Sequence, residues 1–402
     1  MNSKRNVCIA GKNGIAVKAM RYVYASFKDE VELYILPNAS DLGESSWQPS
    51  LRREAGLLSL SIVELEDCYS MKDLLFISLE FDQLIKPERF SSAALYNIHF
   101  SILPKYKGMY TSAWPILNGE LFSGVTLHEI DRGVDTGAIV DQVEFSISDM
   151  SCRDLYFAYM ENAYELFTWK FGSLLSGDVC ANEQSASDAT YYSKASIKFD
   201  DLSLDFRATA FQIQKQFRAY SFRQFQLPKF DDREICDVQI LESRNVKRPG
   251  TVIFRDEARV VVSTIDYDVQ LKFDFLGELL ELCKNGDEAS LKQTIDLVLN
   301  VNELGREGWS PLMVATYHNN VGAVNLLIKY GADINAVNCN GTTVLMYAKD
   351  GVELAKDPAV LHRLLDLGCD PNVQDARGKT VIDYCLENNE SFSLEIIRNH
   401  IV

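Results

Sequence analysis

Three side chains of this sequence have the types and spacing for acyl transfer to an amine. Asn97 and His99 lie two residues apart in the run Asn97-Ile98-His99-Phe100-Ser101-Ile102-Leu103-Pro104. The period of a strand puts both side chains on one face. Downstream, Asp131-Arg132-Gly133-Val134-Asp135-Thr136-Gly137 is a glycine-flanked turn able to return a carboxylate to them. An imidazole can take a proton from the amine and an amide can donate to an oxyanion. A carboxylate can fix the tautomer and charge of the imidazole. A lone histidine at a strand end is more often structural, and the downstream turn is what shifts the reading towards chemistry.

The elements that must hold these residues follow from hydrophobic periodicity. Residues 7–10 form a short apolar strand that ends in Gly11-Lys12-Asn13-Gly14. A helix follows, with Ala16, Met20, Val23, Tyr24 and Phe27 on one face. Residues 31–36, 60–65 and 74–79 read as further strands, and this alternation predicts a mainly parallel sheet covered by helices. Strands over 96–101, 124–130 and 138–145 and a long helix from about 152 to 175 complete a region spanning 1–195. Gly11-x-x-Gly14 lacks the third glycine of a dinucleotide fingerprint, so NAD is not implied. Residues 196–274 read as a small α+β unit, with a helix over 206–218 and a β meander over 235–241, 250–254, 258–264 and 267–273.

Residues 275–402 are repetitive. Gly308-Trp309-Ser310-Pro311-Leu312-Met313-Val314-Ala315 recurs 33 residues later as Gly341-Thr342-Thr343-Val344-Leu345-Met346-Tyr347-Ala348, which is the ankyrin period. Gly331-Ala332-Asp333-Ile334-Asn335 recurs as Gly368-Cys369-Asp370-Pro371-Asn372. Two full repeats, an insertion around 351–358 and degenerate caps at 275–300 and 378–402 make a short stack. Leu326, Leu327, Leu364 and Leu365 are expected to bury its seam.

Composition narrows the function. The 402 residues carry 57 acidic and 40 basic side chains, a net charge of −17. That disfavours nucleic-acid binding and docking on an anionic membrane. No stretch is long enough for a membrane span, and the polar start leads into no signal-like core, so a cytoplasmic protein is expected. Nine scattered cysteines with no C-x-x-C pair fit reduced thiols, and all nine are expected to be small core hydrophobes. Five histidines are too few to favour a multi-histidine centre, and no metal is expected. His128 is expected on the sheet beside the 131–137 loop; His318, His362 and His400 are given no catalytic role.

The Asn-x-His-x-Ser-x-Leu-Pro run is followed by Tyr106-Lys107-Gly108, Asn118-Gly119-Glu120, Gly124-Val125-Thr126 and Asp135-Thr136-Gly137. This series strongly resembles the formyltransferases that use N10-formyltetrahydrofolate, over most of residues 1–260. The resemblance implies a Rossmann-like α/β core, formyl-folate as cosubstrate, and Asn97, His99 and Asp135 as the catalytic residues. Segments 11–16, 77–82, 105–113 and 218–222 resemble the nucleotide-sugar branch. That implies a dTDP-linked amino-dideoxyhexose as substrate, 3-amino-3,6-dideoxyglucose before the 4-amino sugar, for surface polysaccharide such as O-antigen. A homodimer through the β-rich middle region is also implied. The tRNA-modifying branch would need a basic C-terminal domain. An ankyrin scaffold with a dead core would have lost one of the three catalytic residues.

The resemblance also implies that the pterin lies against the backbone of Ser78, Leu79, Glu80 and Phe81 and against the turn that starts at Asp131. For the nucleotide, the candidates are Lys12, Asn13, Lys105, Tyr110, Arg218, Tyr220 and Phe222. Basic side chains would meet the pyrophosphate and an aromatic ring would stack on thymine; ordinary surface charge and core aromatics are the alternative. In the repeats, Trp309 with Tyr317 and His318, near Arg306 and Lys349, could form a second nucleotide-sugar site. A tryptophan packed between helices, or a protein-binding face, is the alternative.

Overall fold

The computed structural model describes residues 4–92, 94–199 and 202–401. Strand β1 (Arg5–Gly11) leads into helix α1 (Asn13–Phe27) and strand β2 (Val31–Pro37). Helix α2 (Leu51–Leu57), strand β3 (Ser61–Ile62), helix α3 (Leu65–Ser70) and strand β4 (Leu74–Leu79) follow. Next come β5 (Ala94–His99), β6 (Lys107–Gly108), α4 (Trp114–Asn118), β7 (Phe122–Glu129), β8 (Ile139–Ser146), α5 (Cys152–Ser176) and β9 (Tyr191–Tyr192). Seven of these strands form one sheet in the order β3-β2-β1-β4-β5-β7-β8. The first five are parallel, while β7 and β8 run antiparallel. All six residues of β4, Leu-Leu-Phe-Ile-Ser-Leu, are buried, as expected of a strand covered on both faces. Ile9, Ile77 and Ile98 pack with Ile15, Met20, Tyr159 and Phe167 of α1 and α5 on one face. Cys8, Phe76 and Leu95 pack with Leu65 and Cys68 of α3 on the other.

Two short elements differ from the sequence reading. Residues 60–65 pair as a strand only at Ser61 and Ile62, and the chain then turns into α3. A capping box between Glu64 and Asp67 starts that helix and outweighs the apolar alternation. Helix α2, begun by the Ser50 cap on the Arg53 amide, was not legible as a helix.

Helix α6 (Ala210–Tyr220) packs on a second sheet built from β10 (Lys229–Phe230), β11 (Arg233–Ile240), β12 (Val252–Arg255), β13 (Arg259–Val262) and β14 (Val269–Phe273). Its strand order is β10-β11-β14-β13-β12. No gap in packing falls at residue 195, because Ile197, Ala219 and Phe222 belong to the core of the first sheet.

Four helix pairs make the ankyrin stack: α7 (Leu276–Asn285) with α8 (Glu288–Ile295), α9 (Pro311–Tyr317) with α10 (Val321–Lys329), α11 (Val344–Ala355) with α12 (Ala359–Asp366), and α13 (Val381–Glu387) with α14 (Ser391–Ile401). Leu326, Leu327, Leu364 and Leu365 are buried in their seam. The insertion extends α11 to 12 residues, against 7 in α9. No described helix is long and apolar enough to cross a membrane.

The loops between repeats rest on the first region. Arg377 reaches Glu54 at 3.4 Å. Arg21 binds the same carboxylate and donates to the carbonyl of Ala376 at 2.7 Å. The Cys339 thiol donates to the Ser46 carbonyl at 3.2 Å. Gly308, at φ +80°, lies so close to Trp47 that a Cβ would sit 2.7 Å from the Trp47 Cα. The Trp47 ring in turn packs on Tyr156, Phe157, Phe222 and Phe225, and the neighbouring Gln48 side chain accepts from the Gly14 amide at the start of α1. All nine cysteines are free, but Cys180 and Cys339 are exposed and Cys236 is partly so. The expectation of nine core thiols is therefore corrected, since Cys339 sits at a repeat tip.

Candidate active site

Asn97 and His99 stand at the C-terminal end of β5, and the 131–137 turn brings Asp135 beside them. The His99 Nδ1 is 3.4 Å from Asp135 Oδ1. Its Nε2 lies 2.8 Å from the Tyr106 carbonyl oxygen. A carbonyl only accepts, so Nε2 carries the hydrogen and Nδ1 presents its lone pair to the site. The tautomer is thus fixed by a backbone carbonyl, not by the carboxylate as the sequence reading had it. Asp135 instead faces Nδ1, the ring nitrogen that the carbonyl leaves free.

Asp135 is held in turn. Its φ of +54° lies in the left-handed region. Its Oδ2 accepts from the Gly108 amide at 2.8 Å. The Asp131 carboxylate accepts from Gly133 and Thr136 and so closes the turn. The Gln184 amide donates to the carbonyls of Asp135 and Gly137.

Sequence reasoning set His128 on the sheet beside the 131–137 loop, where it is found, but gave it no part in the site. It lies on β7, directly opposite Asn97 in the antiparallel register. Its Nδ1 donates to the Glu129 carbonyl at 2.7 Å, which leaves Nε2 to accept from the Asn97 Nδ2 at 3.0 Å. Its Nε2 is also 3.7 Å from Asp135. Burial pushes the pKa of this ring down to about 4, although Asp135 pulls the other way. His128 is therefore neutral at pH 7 and fixes which end of the Asn97 amide points inward.

A stability prediction follows from that neutrality. Between pH 6.5 and about 4 the unfolded chain protonates this histidine while the folded one does not. Stability then falls with pH across this window by on the order of 3 kcal/mol. A His128→Gln variant should lose this part of the slope in urea titrations at pH 4.5 and 7. Equal slopes in the two proteins would remove the neutral-ring assignment.

The remaining residues are placed unequally. Ser78 and Leu79 are buried at the end of β4, and Glu80 and Phe81 follow them. Phe81 packs edge-on to Phe76. Lys12 caps α1, and its amide donates to the Leu79 carbonyl. The Asn13 amide is committed to Glu80 and Tyr156. Lys105 is exposed. The Tyr110 hydroxyl donates to the Lys194 carbonyl, and Arg218 pairs with Asp149 at 3.3 Å. Tyr220 is partly buried. Phe222 is only 3% exposed and lies against Trp47, Tyr156 and Phe225, so its proposed stacking on a base is corrected to a core role.

In the repeats, Trp309 packs on Tyr317 and Tyr347 with ring centroids 5.4 and 4.4 Å apart. A hollow of about 580 Å³ has Trp309, His318, Arg306 and Lys284 among its walls together with Glu234, Asp274, Glu281 and Glu307, and Tyr317 does not line it; Arg306 is paired with Glu234 and Lys284 with Glu281. Lys349 is buried and paired with Asp350 and Glu390, so it is unavailable there.

The model for formyl transferases matches residues 75–166, and that for ankyrin repeats (three copies) matches 279–375. An N-formyltransferase from Helicobacter canadensis, solved in complex with folinic acid and dTDP-3-aminofucose, is 36% identical with a TM-score of 0.62. That match covers 67% of this chain and 100% of the other. WlaRD, a sugar 3N-formyl transferase solved in the presence of dTDP and 5-N-formyl-THF, is also 36% identical, with a TM-score of 0.62 over 68% and 98% of the two chains. The methionyl-tRNA formyltransferase of Borrelia recurrentis is 27% identical over 329 residues, 78% of this chain and 96% of that one. The chain belongs to the sugar N-formyltransferase family. It is an enzyme of that class with ankyrin repeats at its C-terminal end.

Proposed function

We propose that the chain transfers the formyl group of N10-formyltetrahydrofolate to the amine of dTDP-3-amino-3,6-dideoxyglucose, in the cytoplasm, for a surface polysaccharide such as O-antigen. The observation that carries this reading is the meeting of Asn97, His99 and Asp135 at the end of β5. The two relatives at 36% identity support the 3-amino sugar, since one was solved with dTDP-3-aminofucose and the other is a 3N-formyl transferase.

The folate supplies an activated formyl carbon. The strand end beside the site suits its pterin, because the backbone of residues 81–85 finds no hydrogen-bond partner among the described residues and can pair with a heteroaromatic edge. Ser78, Leu79 and Glu80 lead into that segment, Phe81 begins it, and the family resemblance puts the turn from Asp131 against the pterin as well. The Asn97 amide donates to the formyl oxygen as negative charge develops there. His99 Nδ1 takes a proton from the attacking amine and passes it to the departing nitrogen. Asp135 stabilises the charged ring in between. Lys12 and Lys105 supply cations for the pyrophosphate, with Arg218, Asn13, Tyr110 and Tyr220 at the rim.

We read residues 1–195 as the catalytic domain, 196–274 as the unit that pairs two copies, and 275–402 as the repeat domain. The exposed Val252 and Phe254 on the edge strand β12 support pairing there. We place the second nucleotide-sugar site at the hollow beside Trp309 and His318, where Arg306 and Lys284 would have to leave Glu234 and Glu281 to meet phosphates. The deciding assay supplies formyl-folate with dTDP-3-amino-, dTDP-4-amino-sugars and initiator tRNA, and follows formylated product by mass. Formylation of the 3-amino sugar is expected. Product from the 4-amino sugar alone, or from tRNA alone, would overturn the reading.

A further inference from the structure

One surface segment holds both His99 and Asp135 from behind. It starts at Asn182, whose backbone exchanges hydrogen bonds with Ile139 of β8 at 2.7 and 2.8 Å. It ends in β9, which pairs with β6. Residues 185–190 in between are exposed, yet a side chain at each end reaches the site. The Gln184 Nε2 donates to the carbonyls of Asp135 at 2.9 Å and Gly137 at 2.8 Å. The Thr190 Oγ1 accepts from the Tyr106 amide at 2.7 Å.

The Thr190 contact matters through the next peptide. The Tyr106 carbonyl and the Lys107 amide belong to one trans peptide unit and point in opposite directions. The carbonyl accepts from His99 Nε2 at 2.8 Å. The Lys107 amide donates to the Thr190 carbonyl at 2.9 Å. The peptide is thus held between the histidine ring and Thr190. A hydrogen bond at its N–H polarises its C=O into a better acceptor, which favours the charge the ring gains when Nδ1 takes a proton.

Two features argue against simple loop closure. Asp135 and Tyr106 both hold left-handed backbones, at φ +54° and +59°. Such strain persists only where the surroundings hold it, and the bonds from Gln184 and Thr190 fall on those two residues. The Gln184 Oε1 is also buried with no partner among the described residues. A leucine would avoid that orphaned oxygen but would leave the Asp135 and Gly137 carbonyls without their donor.

We propose that Gln184 and Thr190 are positioning residues for the formyl transfer. Gln184 sets the backbone that carries Asp135, and Thr190 sets the peptide that anchors His99. The chain between them keeps the two catalytic groups 3.4 Å apart. Each acts through a backbone group. The Gly108 amide orients the Asp135 carboxylate, while Gln184 fixes the main chain beneath it.

This inference rests on the reading of His99 and Asp135 as the catalytic pair, and the test separates the two. Turnover of the full chain with formyl-folate and dTDP-3-amino-3,6-dideoxyglucose is followed by mass. Thr190→Val keeps the branched shape and loses the acceptor. Gln184→Leu keeps the bulk and loses both donated bonds. Each should lower kcat by about ten- to a hundredfold, the effect of a displacement of up to about 1 Å at a catalytic group, with KM for both substrates within a few-fold. Thr190→Ser keeps the acceptor and should turn over within a few-fold of the wild type. A loss that acts through a partner vanishes once that partner is gone. Thr190→Val should therefore lower kcat no further in a His99→Asn protein, nor Gln184→Leu in an Asp135→Asn protein. General loosening of the fold would repeat its loss in both backgrounds. Unchanged kcat in either folded single variant, or a repeated loss in the doubles, would overturn the positioning role. Should Gln184→Leu not fold, Gln184→Glu, which keeps the length and removes the donors, takes its place. Near-wild-type turnover in His99→Asn itself would overturn the catalytic-pair reading instead.

Discussion

Replacing His99 with asparagine is expected to lower kcat by between about 10²- and 10⁴-fold, the usual contribution of a positioned general base. KM for both substrates should stay within a few-fold. The ring is anchored by its Nε2–H on the Tyr106 carbonyl and presents Nδ1 towards Asp135. Asparagine can keep a donor for that carbonyl but offers no basic nitrogen. The lost geometry costs about 1 kcal/mol, which lowers the melting temperature by a few degrees. Turnover followed by mass and a thermal melt check both halves. Near-wild-type turnover would sink the assignment of His99 as base.

The second large effect is expected from a methyl group. Gly108 sits at φ +88°, and a Cβ there would lie 2.3 Å from the Tyr192 carbonyl oxygen and 2.9 Å from the Tyr191 ring. Both contacts are on β9, which pairs with β6 through this residue. Gly108→Ala must therefore part the two strands, and the Gly108 amide moves with its own strand. That amide is the donor to Asp135 Oδ2. A displacement of about 1 Å at a catalytic carboxylate can cost a hundredfold in rate. A loss of that order in kcat is expected, with the seven-stranded sheet intact by circular dichroism. Unchanged kcat in a folded Gly108→Ala protein would show that Asp135 does not depend on this amide.

These two residues mark the limits of what the sequence can disclose. The spacing of Asn97 and His99 and the glycines around Asp135 were enough to bring all three together, because strand alternation and turn chemistry act over a few residues. His128 faces Asn97 only because β7 runs antiparallel to β5 in one register, and no local pattern states that pairing. The anchor of His99 is a backbone carbonyl, which has no residue type to recognise. Tyr156 and Glu80 are 76 residues apart and meet only when α5 crosses the sheet end. Phe222 and Lys349 erred the other way. Their side-chain types suit a nucleotide, but burial against Trp47 and pairing with Glu390 remove them from solvent. The long strands and the ankyrin period were legible because each repeats its signal several times. Helices α2 and α3, of 7 and 6 residues, are too short to show a period and are begun by side-chain caps.

The grip of Arg377 on Glu54 spans 323 residues of sequence. At ribosomal rates of about 5–20 residues per second, Glu54 waits roughly 15–60 s after its synthesis before that partner exists. Through that interval the nascent first region shows solvent an acidic side chain destined for burial and the flank of Trp47 that Gly308 later covers. A chain cut short before its last repeats leaves Glu54 without its Arg377 partner.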